Sequence, residues 1–358
     1  MTDPHIQALL RGPSLTPLGG PGTPVVVTYS FMTGAPGEAA AMDGAQQAAA
    51  RDAFAAWGAV SGIIPVEVPS IGGAAGGQIR LGIDELPGSQ VALAALYGDG
   101  RTIITLDGPL AAAGSGPGSL ATYALLHEIG HALGLKHPFE GGAVLPAALD
   151  SSAHTVMSYN YRGFLRADPG PLDAAAAAHL YGAPAAKAGL AAWWDAASGA
   201  VAIAGTPGPD RVEGSALPVN VIATGAGDDA AFGGRGGDFI AAGEGNDLLA
   251  GGAGSDHLDG GGGFDVALFA GPRSSYAIGA DGATITVAGP DGIDRLTQVE
   301  WLQFADGGQG GPPAAPVGMR AERLLGPEDD RAWGPPGADA ASALAQPTPL
   351  APPDHGFG

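Results

Sequence analysis

The sequence predicts two folds in series, an α+β domain followed by an all-β domain that forms a parallel β-roll. The first prediction rests on short alternating apolar segments before residue 110, followed by a helical pattern over Leu120–Leu135. The second rests on a glycine-rich unit of nine residues that recurs from Thr224 onward. A chain of 358 residues is long enough for two such domains.

Short strands precede the helical pattern. They are predicted where apolar residues alternate between turn residues, at Val25–Phe31, Ile63–Val68, Gln78–Ile83, Val91–Tyr97 and Arg101–Leu106. An Ala-rich helix is predicted over residues 38–60, with Phe54 and Trp57 on one face. These elements fit an α+β layer with a mixed sheet.

The densest group of metal-ligating residues lies in the segment HEIGHALGLKH, residues 127–137. On a helix, positions four apart share a face, so His127 and His131 can present ring nitrogens to one ion. Gly134 is the residue type that ends a helix in a left-handed turn, which lets His137 arrive from another direction. Three imidazoles with one open position are typical of a catalytic zinc site, and Glu128 is placed to take a proton from the water that zinc activates.

The alternative for this segment is an ordinary amphipathic core helix whose histidines face solvent. The extended pattern fixes five residue types across eleven positions and uses three of the chain's eight histidines. This specificity favours the zinc hypothesis over a chance match to the shorter HExxH pattern.

The zinc motif followed by the segment TVMSY, residues 155–159, resembles the metzincin zinc metallopeptidases and, within them, the serralysins. The resemblance implies that Met157 forms the Met-turn, an apolar floor beneath the three histidines. It also implies that Tyr159 is a further, displaceable zinc ligand that stabilises the oxyanion. The segment from Pro171 to Gly182 resembles the helix that closes the serralysin catalytic domain.

The nine-residue units follow one another without interruption from residue 224 to residue 268, as TGAGDDAAF, GGRGGDFIA, AGEGNDLLA, GGAGSDHLD and GGGGFDVAL. Each places an aspartate at the same position: Asp229, Asp238, Asp247, Asp256 and Asp265. They resemble the GGxGxDxUx nonapeptide of RTX proteins, whose glycines turn tightly and whose aspartates offer the oxygen ligands that Ca²⁺ prefers. An earlier copy at 205–213 is out of register, and a flexible Gly-rich linker is the alternative. The segments 276–287 and 293–307 resemble the β-hairpin cap of serralysin C-terminal domains.

Composition excludes several classes of protein. The net charge of −21 argues against binding to nucleic acid or to an anionic membrane. The absence of cysteine excludes disulfides, thiol catalysis and Cys-ligated zinc. Apolar stretches are broken before the length that a membrane span needs, and the first twenty residues do not read as a secretory signal peptide.

The sequence therefore predicts four segments. They are a flexible N-terminus or short propeptide at 1–20, a zinc metallopeptidase domain at 21–190, an RTX β-roll with its hairpin cap at 200–310, and a Pro-rich disordered tail at 311–358. Calcium is plentiful outside the cell, which favours a secreted, extracellular protein. The resemblance implies export by the type I secretion machinery, although the tail departs from the expected ending.

The functional prediction is a secreted zinc-dependent endopeptidase that needs both Zn²⁺ and Ca²⁺. Its substrates are extended polypeptides, expected to add a strand along Val91–Leu96, and the chain is expected to be a monomer. One alternative is a calcium-dependent extracellular binding or matrix protein that does not cut. Another is a different RTX enzyme such as a lipase, but the sequence lacks the G-x-S-x-G nucleophile motif.

Overall fold

The computed structural model describes residues 3–11, 17–35, 37–70, 76–97, 100–112, 114, 116–217 and 219–310. It divides into two compact units. Of the described residues, the first unit holds 3–11 and 27–185, and the second holds 17–26 and 186–310. The predicted Pro-rich tail at 311–358 lies outside the described residues. Within them, no helix has both the length and the apolar composition needed to cross a membrane.

The first unit combines helices with a mixed sheet. Its helices are α1 (Pro4–Gln7), α2 (Gly44–Val60), α3 (Gly108–Ala112), α4 (Leu120–Ala132) and α5 (Pro171–Tyr181). Its strands are β1 (Val25–Phe31), of which residues 27–31 belong to this unit, β2 (Ile63–Glu67), β3 (Ile79–Asp84), β4 (Ala92–Leu96) and β5 (Thr102–Asp107). Strands β1, β3 and β5 run parallel, β4 is antiparallel to β5 at the end of the sheet, and β2 pairs with β1. The predicted strands and the mixed sheet are confirmed.

Helix α2 begins six residues later than the sequence pattern indicated. The Asp43 side chain accepts hydrogen bonds from the backbone N–H groups of Ala45 and Gln46, and the Gln46 side chain accepts one from Asp43. This capping box satisfies the free N–H groups of the first turn, so the helix starts there rather than within the Ala-rich stretch before it. Phe54 and Trp57 lie on its buried face, as predicted, and Trp57 Nε1 donates to the carbonyl of Leu126 on α4 at 3.1 Å.

Residues 3–11 are not the flexible segment that the sequence predicted. Ala8 and Leu9 are fully buried. Arg11 N–H donates to the Gly134 carbonyl at 2.9 Å, and Leu9 accepts from the backbone N–H of Lys136 at 2.8 Å. The segment therefore packs against the turn between the second and third histidines of the motif, a long-range contact that local composition does not reveal.

The second unit contains two sets of parallel strands that alternate along the chain. One set is β8 (Arg211–Glu213), β10 (Ala230–Arg235), β12 (Leu248–Ala253), β14 (Val266–Phe269) and β18 (Trp301–Phe304). The other is β7 (Ala200–Ala204), β9 (Asn220–Ala226), β11 (Phe239–Glu244), β13 (His257–Gly262) and β17 (Gly292–Thr297). Between repeats, the paired residues are 18 apart, as in the hydrogen bond from Asp238 to Asp256, so each coil of the roll uses two nonapeptides.

Antiparallel strands complete this unit. They are β6 (Ala191–Asp195), β15 (Ala277–Asp281), β16 (Thr284–Gly289) and β19 (Gly307–Gly310). Strands β15, β16 and β17 form the predicted antiparallel cap, but β17 and β18 also pair in parallel with β13 and β14. The last two parallel strands therefore belong to both the cap and the roll.

Residues 17–26 group with the second unit, although the sequence assigned 21–26 to the first domain. Arg211 Nε donates to Thr23 Oγ1 at 2.8 Å, and Glu213 accepts from the Gly19 backbone N–H at 3.1 Å. Leu18 packs against the core cluster that contains Phe232. These contacts join residues almost two hundred positions apart, beyond the reach of a local pattern.

Candidate metal centres

Helix α4 carries the first two histidines, and its two ends are determined by specific residues. Ser119 caps the N-terminus, where its side chain accepts from the Thr122 backbone N–H at 3.2 Å. Gly134 has φ +93° at the C-terminus, and the Leu135 N–H reaches back to the Gly130 carbonyl at 2.9 Å. This left-handed glycine turn reverses the chain, as the sequence predicted, and brings His137 toward α4.

The three histidines of the motif converge on one point. Their Nε2 atoms lie 3.0 Å (His127 to His131), 3.1 Å (His131 to His137) and 3.2 Å (His127 to His137) apart. All three side chains are buried. Ligands about 2.0–2.1 Å from one tetrahedral ion lie about 3.3 Å apart, so the spacing fits a single zinc ion.

Each Nδ1 atom of the triad faces a hydrogen-bond acceptor. His127 Nδ1 lies 2.8 Å from the Val156 carbonyl, and His131 Nδ1 lies 3.0 Å from the Leu135 carbonyl. His137 Nδ1 lies 2.6 Å from a carboxylate oxygen of Glu140. Because none of these partners can donate, each Nδ1 carries the proton and each Nε2 presents a lone pair.

Three lone pairs that point at one another repel unless a cation lies between them. Burial lowers the pKa of His127 to about 3 and that of His131 well below its usual value, with the neighbouring histidines adding to both shifts. Burial also lowers the pKa of His137, against the opposing effect of Glu140. The three histidines are therefore neutral at neutral pH. The neutral imidazole is the form that ligates a metal. The donor set fits zinc.

Glu128 lies next to the triad and is almost completely buried, with 7% exposure. Burial raises the pKa of its carboxyl group to about 8, although a hydrogen bond from the Ala94 backbone acts in the opposite direction. Ala94 belongs to β4, the strand at the end of the first unit's sheet. The carboxyl group is thus held between the helix and this strand, in a setting that favours binding of a proton.

Tyr159 approaches the triad from the segment after the motif. Its Oη lies 2.8 Å from His137 Nε2, within hydrogen-bonding distance of the lone pair. Burial, reinforced by the negative charges of Glu128 and Glu140, raises its pKa above the usual value, so the phenol keeps its proton. Phe139 stacks on His137 with a ring separation of 5.2 Å and leaves 47% of its own surface exposed.

Met157 is fully buried beneath α4. A Cβ atom placed on Gly130, between the two helical histidines, would come within 2.6 Å of Met157 Sδ and 3.1 Å of Trp57. A side chain at position 130 would therefore collide with this methionine. The glycine of the HEIGH segment is needed for close packing, in addition to any role in the spacing of the histidines.

Gly130→Ala is expected to destabilise the protein by about 1–3 kcal/mol, because overpacking against Met157 outweighs the better helix propensity of alanine. Chemical denaturation of the metal-free protein measures the loss. The double variant Gly130→Ala/Met157→Ala should lose less than the sum of the two single variants, since removal of the sulfur relieves the contact. Additive losses would contradict direct packing.

Sequence reasoning missed Asp173, which organises the segment around Met157. Its carboxylate is fully buried and accepts from Thr155 Oγ1 at 2.5 Å and from the backbone N–H groups of Val156 and Gly170, both at 2.7 Å. The Val156 carbonyl in turn accepts from His127. Asp173 stands at the third position of α5, where it caps the helix, and this location was the only sequence signal for it.

Asp173→Asn is expected to destabilise the protein by about 1–3 kcal/mol, because the amide has one acceptor oxygen where the carboxylate has two, so at least one of the three donors loses its present acceptor. Asp168→Asn, in the exposed loop before α5, is the matched control and should change stability little. Urea unfolding of both variants measures the difference. Equal stability of the two variants would show that the buried hydrogen bonds are not needed.

The repeat aspartates form two buried ladders along the roll. The five are Asp229, Asp238, Asp247, Asp256 and Asp265, and all are at most 1% exposed. In each ladder, the Oδ1 of one aspartate accepts from the backbone N–H of the aspartate one coil earlier, as in the 2.8 Å bonds from Asp229 to Asp247 and from Asp238 to Asp256. The residues that share one position of the repeat in the sequence therefore line up in the structure.

The second carboxylate oxygen of each repeat aspartate has no hydrogen-bond partner among the described residues, although it is buried. Burial raises the pKa of Asp238 and Asp265 to about 7 and that of Asp247 to about 6. Ionised carboxylates with free buried oxygens are costly unless a cation neutralises them. An all-oxygen shell of this kind suits Ca²⁺.

Comparison with known proteins identifies the roll. Residues 219–240 and 232–267 each match a family model described as RTX calcium-binding nonapeptide repeat (4 copies). Residues 219–267 carry RTX repeats. RTX repeats bind calcium and are typical of secreted proteins, and the parallel strands of the second unit agree with the predicted β-roll.

The remaining comparisons add little. A search of curated proteins finds no match. A solved structure described as the GM1 bound form of the ECX AB5 holotoxin is 18% identical to this chain, covers 51% of it and 92% of its own length, and superposes with a TM-score of 0.32. A TM-score this low supports no conclusion about fold or function.

Proposed function

We propose that this RTX protein is a secreted, zinc-dependent endopeptidase that hydrolyses peptide bonds of extracellular proteins. The observation that carries the proposal is the buried triad of His127, His131 and His137. Its three Nε2 lone pairs converge, and its three Nδ1 protons are already committed to other acceptors. The resemblance of residues 127–137 and 155–159 to the metzincins supports the same assignment.

His127, His131 and His137 would hold the zinc ion, with Tyr159 as a displaceable fourth ligand. A bound zinc ion supplies Lewis-acid activation of a water molecule and of the scissile carbonyl. Glu128 accepts the proton of the attacking water and passes it to the leaving amine, a role that its buried position beside the three histidines suits. The Tyr159 hydroxyl donates a hydrogen bond to the oxyanion, which its raised pKa allows.

The substrate is an extended polypeptide that lies along β4. Among the described residues this strand pairs only with β5, so a substrate could pair with the other side of its backbone. The hydrogen bond between Ala94 and Glu128 connects the strand to the general base. A chain paired with β4 would therefore pass close to the catalytic carboxyl group.

Zinc content and hydrolysis of unfolded casein, measured on the purified full chain in millimolar calcium, test the proposal. We expect one zinc per chain, loss of hydrolysis after treatment with a zinc chelator, and recovery when zinc is returned. His131→Ala should lose the zinc, whereas His5→Gln, a change in the half-buried helix α1, should retain it. A folded, zinc-loaded protein that cleaves no unfolded substrate would favour a calcium-dependent binding or matrix protein instead.

A further inference from the structure

The segment Gly289–Thr297, with the sequence GPDGIDRLT, lies outside the matched repeats but follows their pattern. Glycines occupy the first and fourth positions, Asp294 the sixth and Leu296 the eighth, and only the second glycine is replaced, by Pro290. It begins twenty-one residues after the last contiguous unit ends. The sequence prediction placed residues 293–297 of this segment in the hairpin cap and did not assign residues 289–292.

The backbone of this segment repeats the geometry of the authentic loops. Gly292 has φ +142°, close to the +138° of Gly254 at the same position of its repeat. The Gly254 N–H donates to the carbonyl of Asp291 at 2.6 Å, just as the Gly236 N–H donates to the carbonyl of Ala253 at 2.6 Å. The segment therefore stacks on the loop 251–256 as another coil of the roll.

The aspartate ladder also continues into this segment. The Asp256 N–H donates to Asp294 Oδ1 at 2.9 Å, in the same way that the Asp238 N–H donates to Asp256 Oδ1 at 2.8 Å. The separation along the chain grows from 18 to 38 residues because β15 and most of β16 are inserted between the two coils. Asp294 is 3% exposed, like the aspartates of the repeats.

Two buried oxygens at this junction have no hydrogen-bond partner among the described residues. One is Oδ2 of Asp256, a fully buried residue. This atom lies so close to Gly251, the first residue of the loop 251–256, that a Cβ atom at position 251 would collide with it. The other is Oδ1 of Asp291, whose Oδ2 accepts from the Tyr276 hydroxyl at 2.8 Å. Tyr276 thus orients Asp291 and leaves its second oxygen free for a ligand.

We propose that the loop Gly289–Asp294 holds a further calcium ion against the loop 251–256, with carboxylate ligands from Asp256 and Asp294 and an additional oxygen from Asp291. Hard carboxylate and carbonyl oxygens favour Ca²⁺, and the stacking matches that of the repeats. A calcium ion at this site would connect the hairpin cap to the loop 251–256, the preceding coil in the same aspartate ladder. The inference does not depend on the proposed peptidase activity.

Calcium stoichiometry of the full chain tests the site, measured by equilibrium dialysis with radioactive calcium. Asp294→Asn keeps the ladder hydrogen bond but removes the charge, and we expect it to bind one calcium ion fewer than the wild type. Asp281→Asn, exposed on β15 of the same cap, is the matched control and should bind the full number. An unchanged number and affinity in a folded Asp294→Asn variant would overturn the proposal.

If Asp294→Asn does not fold in calcium, the variant Asp291→Asn tests the same calcium site. Asp291→Asn can still accept from Tyr276, so the cap should keep its circular dichroism spectrum. We expect one site to weaken by at least tenfold while the remaining sites keep their affinity. Wild-type affinity at every site in this variant would overturn the assignment.

Discussion

Glu128→Gln is expected to lower kcat for the hydrolysis of an unfolded protein by about 10²–10⁴-fold, the usual contribution of a positioned general base. The amide has nearly the shape of the carboxyl group, so the packing between α4 and β4 should persist, but it cannot accept the proton. Zinc content should stay at one per chain, because Glu128 lies beside the triad and is not one of its three converging histidines.

Steady-state kinetics on casein-type substrate, with zinc measured on the same samples, check this expectation. Glu85→Gln is the matched control, since Glu85 is exposed in the turn after β3, and its kcat should equal that of the wild type. A Glu128→Gln variant with wild-type kcat would remove Glu128 from the proposed mechanism. A variant that loses its zinc would instead show a structural role.

Calcium removal is expected to unfold the second unit or to lower its melting temperature by more than about 10 °C. Each site filled at a hundred times its Kd contributes about 2.7 kcal/mol, and about 1 kcal/mol corresponds to 2–4 °C for a protein unit of this size. The reason lies in the second carboxylate oxygens of the five repeat aspartates, which are buried and have no hydrogen-bond partner in the described part of the chain. Without a cation, the charges of these carboxylates repel one another in the folded roll.

Thermal unfolding followed by circular dichroism, in excess chelator and in millimolar calcium, measures the shift. Magnesium at the same concentration is the control and should restore less stability, because it demands a small octahedral shell and gives up its water reluctantly. Asp247→Asn should reduce the calcium-dependent gain without removing it. Identical melting curves with and without calcium would contradict a structural role for the ion.

The repeats were the most predictable part of the fold. Their pattern of glycine and aspartate is local, with one unit every nine residues, so it can be recognised without knowledge of distant contacts. The coil between Gly289 and Thr297 escaped recognition because twenty residues of hairpin interrupt the phase, and only the parallel pairing of β17 with β13 restores it.

The sequence predicted which three histidines come together in the candidate zinc site, but not which residues hold them in place. His127, His131 and His137 follow from helical spacing and one glycine turn, and the structure brings them together. Glu140 and Asp173 did not stand out, because isolated acidic residues are common on protein surfaces. Glu140 has its role through a contact with His137. Asp173 has its role through a contact with Val156, which lies seventeen residues earlier in the chain.

The sequence by itself determined the local features: the strands, the extended histidine motif with its glycine turn, and the phase of the calcium-binding repeats. These depend on periodicity and on backbone conformations that particular residues favour. Only the tertiary structure decided that residues 3–11 support the histidine turn, that Gly130 makes room for Met157, and that Asp294 extends the aspartate ladder. Such contacts join residues far apart in the chain, and their energy depends on the burial and packing that the whole fold creates.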